Sequence, residues 1–80
     1  MEKTIYCDAY RQGIRILIDT RKKKGLTQAA ASKAVGMGEN WLGKIERHEL
    51  RLDLLYAIKI CRVYGISAVM LVKVIEKELP

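Results

Sequence analysis

Eighty residues hold one domain at most, and a domain of that size buries only about 60% of the surface its unfolded chain exposes, so association with a second copy is a natural supplement to its stability. Half the residues are hydrophobic, yet no stretch approaches the roughly 18 uncharged apolar residues a bilayer span needs. Met1–Tyr10 carries Glu2 and Asp8 where a secretory leader would be basic and then apolar, so a cytoplasmic location is expected. The formal charge of +6 is uneven: residues 1–51 carry eleven basic and six acidic side chains, residues 52–80 four and three. The basic part is expected to face a polyanion, although a solvated surface explains charge alone equally well.

The first predicted helix spans about 8–24, with Asp8 as N-cap and Ile14, Leu17, Ile18 and the aliphatic stem of Arg21 at helical spacing. Gly25 ends it. Lys22, Lys23 and Lys24 fall in its last turn, where exposed carbonyls favour positive charge. Thr27 opens a second helix over 27–35, whose run from Ala29 to Ala34 has strong helix preference and little bulk. It stops at Val35-Gly36. A third helix is predicted over 38–47, with Met37, Leu42 and Ile45 inward and Glu39, Asn40, Gly43 and Lys44 outward. Gly38 and Gly43 cost such a helix about 0.8–1.0 kcal/mol each against alanine, which points to close backbone approach or, at Gly38, to a frayed start. Two short helices joined by a few residues including a glycine form a helix-turn-helix.

Asp53 is the predicted N-cap of a fourth helix, 53–64, with Leu54, Ala57, Ile58, Cys61 and Tyr64 on its inner face and Gly65 closing it. Ser67 caps a fifth, 67–78, which is apolar over more than the single stripe that burial in a monomer requires: Val69, Met70, Leu71, Val72, Val74 and Ile75. The chain therefore reads as all-α.

Chemistry-bearing residues are few. Cys7 and Cys61 match no paired metal spacing and the lone histidine, His48, has no ligand partner nearby in sequence. Two reduced, partly buried thiols are expected, with no metal, no cofactor and no evident small-molecule ligand. One histidine, no glycine-rich phosphate loop and no paired carboxylates leave little for acid, base or nucleophile, so no enzymatic activity is expected.

The run from Arg21 through Lys22, Lys23, Lys24, Gly25 and Leu26 to Thr27-Gln28, then Val35-Gly36-Met37, Leu42-Gly43-Lys44-Ile45-Glu46-Arg47, and Tyr64-Gly65-Ile66-Ser67 with Leu71, resembles the Cro/phage-repressor (XRE-like) helix-turn-helix family. The resemblance covers roughly residues 14 to 72. It implies a compact five-helix bundle, a lambda-repressor-like DNA-binding domain, docking its third helix in the major groove of an operator. By position, Gly38, Glu39, Asn40 and Lys44 would face base edges, and Thr27, Gln28, Lys33, Arg47 and Arg51 the phosphate backbone. The chemistry agrees: asparagine pairs bidentately with adenine, lysine donates to guanine, glutamate accepts from cytosine. Glu39 is equally suited to the positive end of the helix dipole. Arg21 and Glu46 match a structural ion pair. Trp41, on the border of the inner and outer faces, is suited to packing against the core or the second helix and also to contact with a thymine methyl or sugar. His48 and Leu52 stand where the family often has glycine and proline, which leaves the path of the following loop open, and Ala31 replaces a usual leucine.

The surplus apolar surface of the fifth helix implies a homodimer through Val69, Met70, Val72, Lys73, Ile75 and Glu76, reading a near-palindromic site. Such a regulator represses by occupying a promoter or activates by touching RNA polymerase. The alternative is an antitoxin-like module whose main partner is a protein held by the fifth helix.

Overall fold

The computed structural model describes residues 7–80, so most of the segment read against a leader lies outside the described residues. Five helices follow in order, α1 (Asp8–Lys23), α2 (Gln28–Ala34), α3 (Trp41–Glu46), α4 (Leu54–Tyr64) and α5 (Ala68–Glu78), with no strand among the described residues. Local chemistry starts three of them: Thr27, Asp53 and Ser67 accept hydrogen bonds from the amides of Ala30, Tyr56 and Met70 at 3.0, 2.9 and 3.3 Å, each satisfying an orphan donor of a first turn. Asp8, expected as the cap of α1, stands instead in its first turn, with Cys7 at the N-cap and no side-chain cap bond. Its carboxylate there still faces the positive end of the helix.

The connection after α3 is built differently from the others. α1, α2 and α4 close on left-handed glycines, Gly25, Gly36 and Gly65, whereas α3 closes on His48 at φ 62°. The His48 amide donates to Ile45 O at 3.1 Å and that of Glu49 to Lys44 O at 2.9 Å, the paired bonds of a Schellman end. A β-carbon in this conformation is strained, and α1 holds it in place. The Tyr10 ring meets the His48 ring edge-on at 6.3 Å between centroids, and the Tyr10 hydroxyl accepts the Leu52 amide at 2.9 Å. One tyrosine thus fixes both ends of the loop from 48 to 52.

The core joins Ile14 and Leu17 of α1, Ala31 and Val35, Leu42 and Ile45 of α3, Ile60, Cys61 and Tyr64 of α4, and Leu71 of α5. On α4 the inner stripe is Ile60, Cys61 and Tyr64 with Ala57 half-buried, while Leu54 and Ile58, expected inside, are 72% and 38% exposed. The stripe is centred a step further round the helix, which leaves those two side chains beside the outer residues of α5. Ile75, expected on the outward face of α5, turns in against α1: a β-carbon built on Gly13 would lie 2.6 Å from its Cδ1. Gly13 is what admits the Ile75 side chain against α1. Cys7 and Cys61 are free thiols, and burial pushes that of Cys61 up. No helix among the described residues is long and apolar enough to cross a membrane, and these residues contain no cluster suited to a metal ion.

The Nδ1 of His48 is buried without a hydrogen-bond partner, and burial, assisted by the charge of Arg11, pushes the imidazole below its ordinary value of 6.5. The folded chain takes up a proton on this ring at lower pH than the unfolded chain, which protonates it from about pH 6.5 downward. His48 therefore contributes stability above that pH which is lost as pH falls through the depressed folded value. In His48→Asn, which tolerates the left-handed backbone and does not titrate, urea denaturation should show stability falling less between about pH 7.5 and about pH 5 than in the unsubstituted chain. Parallel pH curves would refute the assignment.

Candidate nucleic-acid interface

Between α2 and α3 the chain reverses through Gly36 at φ 84°, with Gly36 N–H donating to Lys33 O at 2.9 Å and Met37 N–H to Ser32 O at 3.0 Å. Ser32 is fully buried. Its hydroxyl donates to Gln28 O at 2.8 Å and accepts from Leu42 N–H at 3.0 Å, linking the two helices. Regular helix begins at Trp41, not at Gly38: residues 38–40 form a turn in which Trp41 N–H donates to Gly38 O at 3.1 Å. Gly38 has no side chain to cap with, and Asn40 makes no cap bond. Nothing lies within 4 Å of a β-carbon built on Gly38. Gly43, expected outward, is buried, and a β-carbon there would lie 3.1 Å from Gln28 Oε1 and 3.0 Å from Arg47 Nη1. Close approach thus explains Gly43 and not Gly38.

Behind this unit lies a charged cluster. Arg21 grips Glu46 through Nε–Oε2 at 2.8 Å and Nη2–Oε1 at 3.0 Å, and donates from Nη1 to Leu26 O at 2.8 Å. Gln28 Nε2 donates to Glu46 Oε1 at 2.8 Å. The paired side chains are only 11% and 8% exposed, and the hydrogen bond from Arg21 to Glu46 raises the guanidinium further above its ordinary value. The buried Tyr64 hydroxyl has no hydrogen-bond partner, and burial, with Glu46 adding to it, pushes it up to about 12.

On the solvent side, Gly38, Glu39, Asn40 and Lys44 are all exposed, and Asn40 and Lys44, four residues apart, share a helical face. Lys33 and Arg51 are also exposed. Thr27 is exposed but uses its hydroxyl as the α2 cap. Gln28 is half-buried with its amide turned to Glu46. Arg47 pairs with Glu49 at 2.7 Å, which holds the Glu49 carboxyl below its ordinary range, so a phosphate would have to compete with that partner. Trp41 is half-buried against the core, its ring 5.4 Å from that of Tyr56; packing accounts for it. On α5, Val69, Met70, Val72, Lys73 and Glu76 are exposed, and Leu54 and Ile58 of α4 line a groove with Val69, Val72 and Lys73, a placement that sequence reasoning did not assign to them. It missed Ser32 as well, although Gln28, Ala31, Ser32 and Val35 fall on one helical stripe and make Ser32 a polar member of an inner face.

The family described as Helix-turn-helix matches residues 17–71, from the second half of α1 to the first turn of α5. No curated protein matches the chain.

Removing the carboxylate strands the Arg21 guanidinium and one Gln28 donor in a nearly closed site. Glu46→Ala should therefore lower unfolding stability by about 3–5 kcal/mol, read as a lower thermal midpoint. An unchanged midpoint would show that the cluster does not hold the helices together.

Proposed function

Because the chain belongs to the Cro/C1-type (XRE) helix-turn-helix family of DNA-binding regulators, we propose that it is a single-domain, sequence-specific transcriptional regulator over residues 1–80 that sets α3 in the major groove of operator DNA. The observation that carries this reading is an exposed edge, made by Gly38, Glu39 and Asn40 of the turn before α3 and by Lys44 within it, with the back of that short helix fixed by Ser32 and Glu46. Bases are read by hydrogen-bond groups held at fixed positions, and those buried bonds remove the freedom that would blur them. Thr27, Gln28, Lys33, Arg47 and Arg51 flank the edge as backbone contacts. The Gln28 amide has two protons; one goes to Glu46, and the other is the donor for a phosphate.

Of the exposed residues of α5, Val69, Met70, Val72, Lys73 and Glu76, Val69, Val72 and Lys73 line one shallow apolar groove with Leu54 and Ile58 of α4. A contiguous apolar surface of this kind marks an association site, and a two-fold pairing through it sets two reading helices about 34–36 Å apart on a near-palindromic duplex. Occupying a promoter makes such a dimer a repressor; touching RNA polymerase from a neighbouring site makes it an activator. The same face also favours the antitoxin-like reading, in which a different protein covers it and the chain is unstable alone.

Selection from a randomised duplex pool should enrich one near-palindromic sequence, bound with affinity that falls steeply with salt as counterions are released. Lys44→Ala should relax the preference at one position per half-site at a cost of about 1–3 kcal/mol. Enrichment of no duplex would end the DNA reading. Separately, Leu54→Glu should convert the dimer to a folded monomer by light scattering at tens of micromolar; a chain already monomeric before substitution would refute pairing through this face.

A further inference from the structure

The first-turn amides of a helix have no partner within it, and asparagine at the N-cap is among the residues best able to serve them. Asn40 occupies that position in α3 and makes no cap bond; its backbone, at φ −93° and ψ −3°, is helical and not extended, outside the geometry in which an N-cap side chain reaches its amides. The amides are served from elsewhere. Trp41 N–H donates to Gly38 O at 3.1 Å, and Leu42 N–H to the hydroxyl of Ser32 at 3.0 Å. The Ser32 hydroxyl is completely buried and commits its own proton to Gln28 O at 2.8 Å, so the lone pair offered to Leu42 is oriented by α2 itself.

We infer that Ser32 is a positioning residue for the reading edge: its hydroxyl, borrowed from α2, replaces the Asn40 side chain as the cap of α3 and leaves the exposed Asn40 carboxamide free of capping duty for a base. The inference rests on the DNA reading for its last step and on the hydrogen bonds alone for its first. A carboxamide folded back on an amide has spent its acceptor, whereas one released from capping offers donor and acceptor together, the pattern adenine requires. Ser32 also ties Leu42 to the α2 backbone, so the edge is fixed relative to the helix that carries Thr27, Gln28 and Lys33.

The test compares Ser32→Ala and Asn40→Ala with the unsubstituted full-length chain, first by residue-resolved amide exchange without DNA, then by binding to the selected duplex, to a duplex altered at the base assigned to Asn40, and to an unrelated one. Ser32→Ala should speed exchange of the Leu42 amide about tenfold relative to other α3 amides. It should also reduce discrimination between selected and altered duplexes about tenfold while leaving affinity for the unrelated duplex unchanged. Asn40→Ala should abolish the same discrimination with Leu42 exchange unaltered. Leu42 exchange unaffected by Ser32→Ala, or accelerated by Asn40→Ala, would overturn the assignment, as would an equal loss of affinity for all three duplexes in Ser32→Ala. Should Ser32→Ala fail to fold, Leu42 exchange in Asn40→Ala decides alone. Failure to select any duplex would instead defeat the DNA reading, and the Leu42 measurements would still judge which group caps α3.

Discussion

The carboxylate of Glu46, the last residue of α3, takes hydrogen bonds from Arg21 of α1 and Gln28 of α2 in a site where it is only 8% exposed. Helices of seven and six residues, the lengths of α2 and α3, are not stable by themselves in water, and their mutual arrangement has to come from tertiary contacts. Apolar packing is forgiving of small slips. A nearly buried charge is not, because it is tolerated only while its partners are in place. Arg21 meets both oxygens with a planar fork and a third donor on Leu26 O, which fixes an angle as well as a distance. The outer edge of α3 inherits that rigidity from a contact made on its inner side.

Much of the fold was legible because the signals were local. Thr27, Asp53 and Ser67 announce helix starts by a chemistry that reaches three residues ahead, and the stripe of Ile14 and Leu17 announces an inner face. What was not legible was decided between elements. Nothing around residue 40 says that the Leu42 amide has a partner ten positions upstream, so regular helix was expected from 38 and begins at Trp41. Nothing near Gly43 says that the Gln28 side chain crosses it, so it was read as outward. Leu54, Ile58 and Ile75 were assigned by periodicity alone, and an offset of about one residue in the phase of each helix, set by which neighbour packs where, reverses all three. Arg21 and Glu46 are 25 residues apart, and only the resemblance to a family placed them together. The resemblance placed Arg47 against phosphate, and its pairing with Glu49, two residues away, was not anticipated.

The loop after α3 departs from glycine at 48 and proline at 52, yet it is not loose. Tyr10 takes over from both: its ring backs the left-handed histidine and its hydroxyl captures the Leu52 amide. The left-handed freedom of a glycine and the fixed φ of a proline are replaced here by contacts from a side chain on another helix, which ties the position of Arg51 and the start of α4 to α1.

Gly13 lets the Ile75 side chain of α5 lie against α1, and α5 makes its main contacts with α1 and α4, away from the α2–α3 pair. The molecule is thus divided into two seams that share α1 as a common wall. On the proposed function, mutations along the outer seam would alter who the chain keeps company with, and those along the inner seam what it recognises. A lineage carrying this architecture can explore the two traits one at a time, a form of evolutionary modularity within a single small polypeptide.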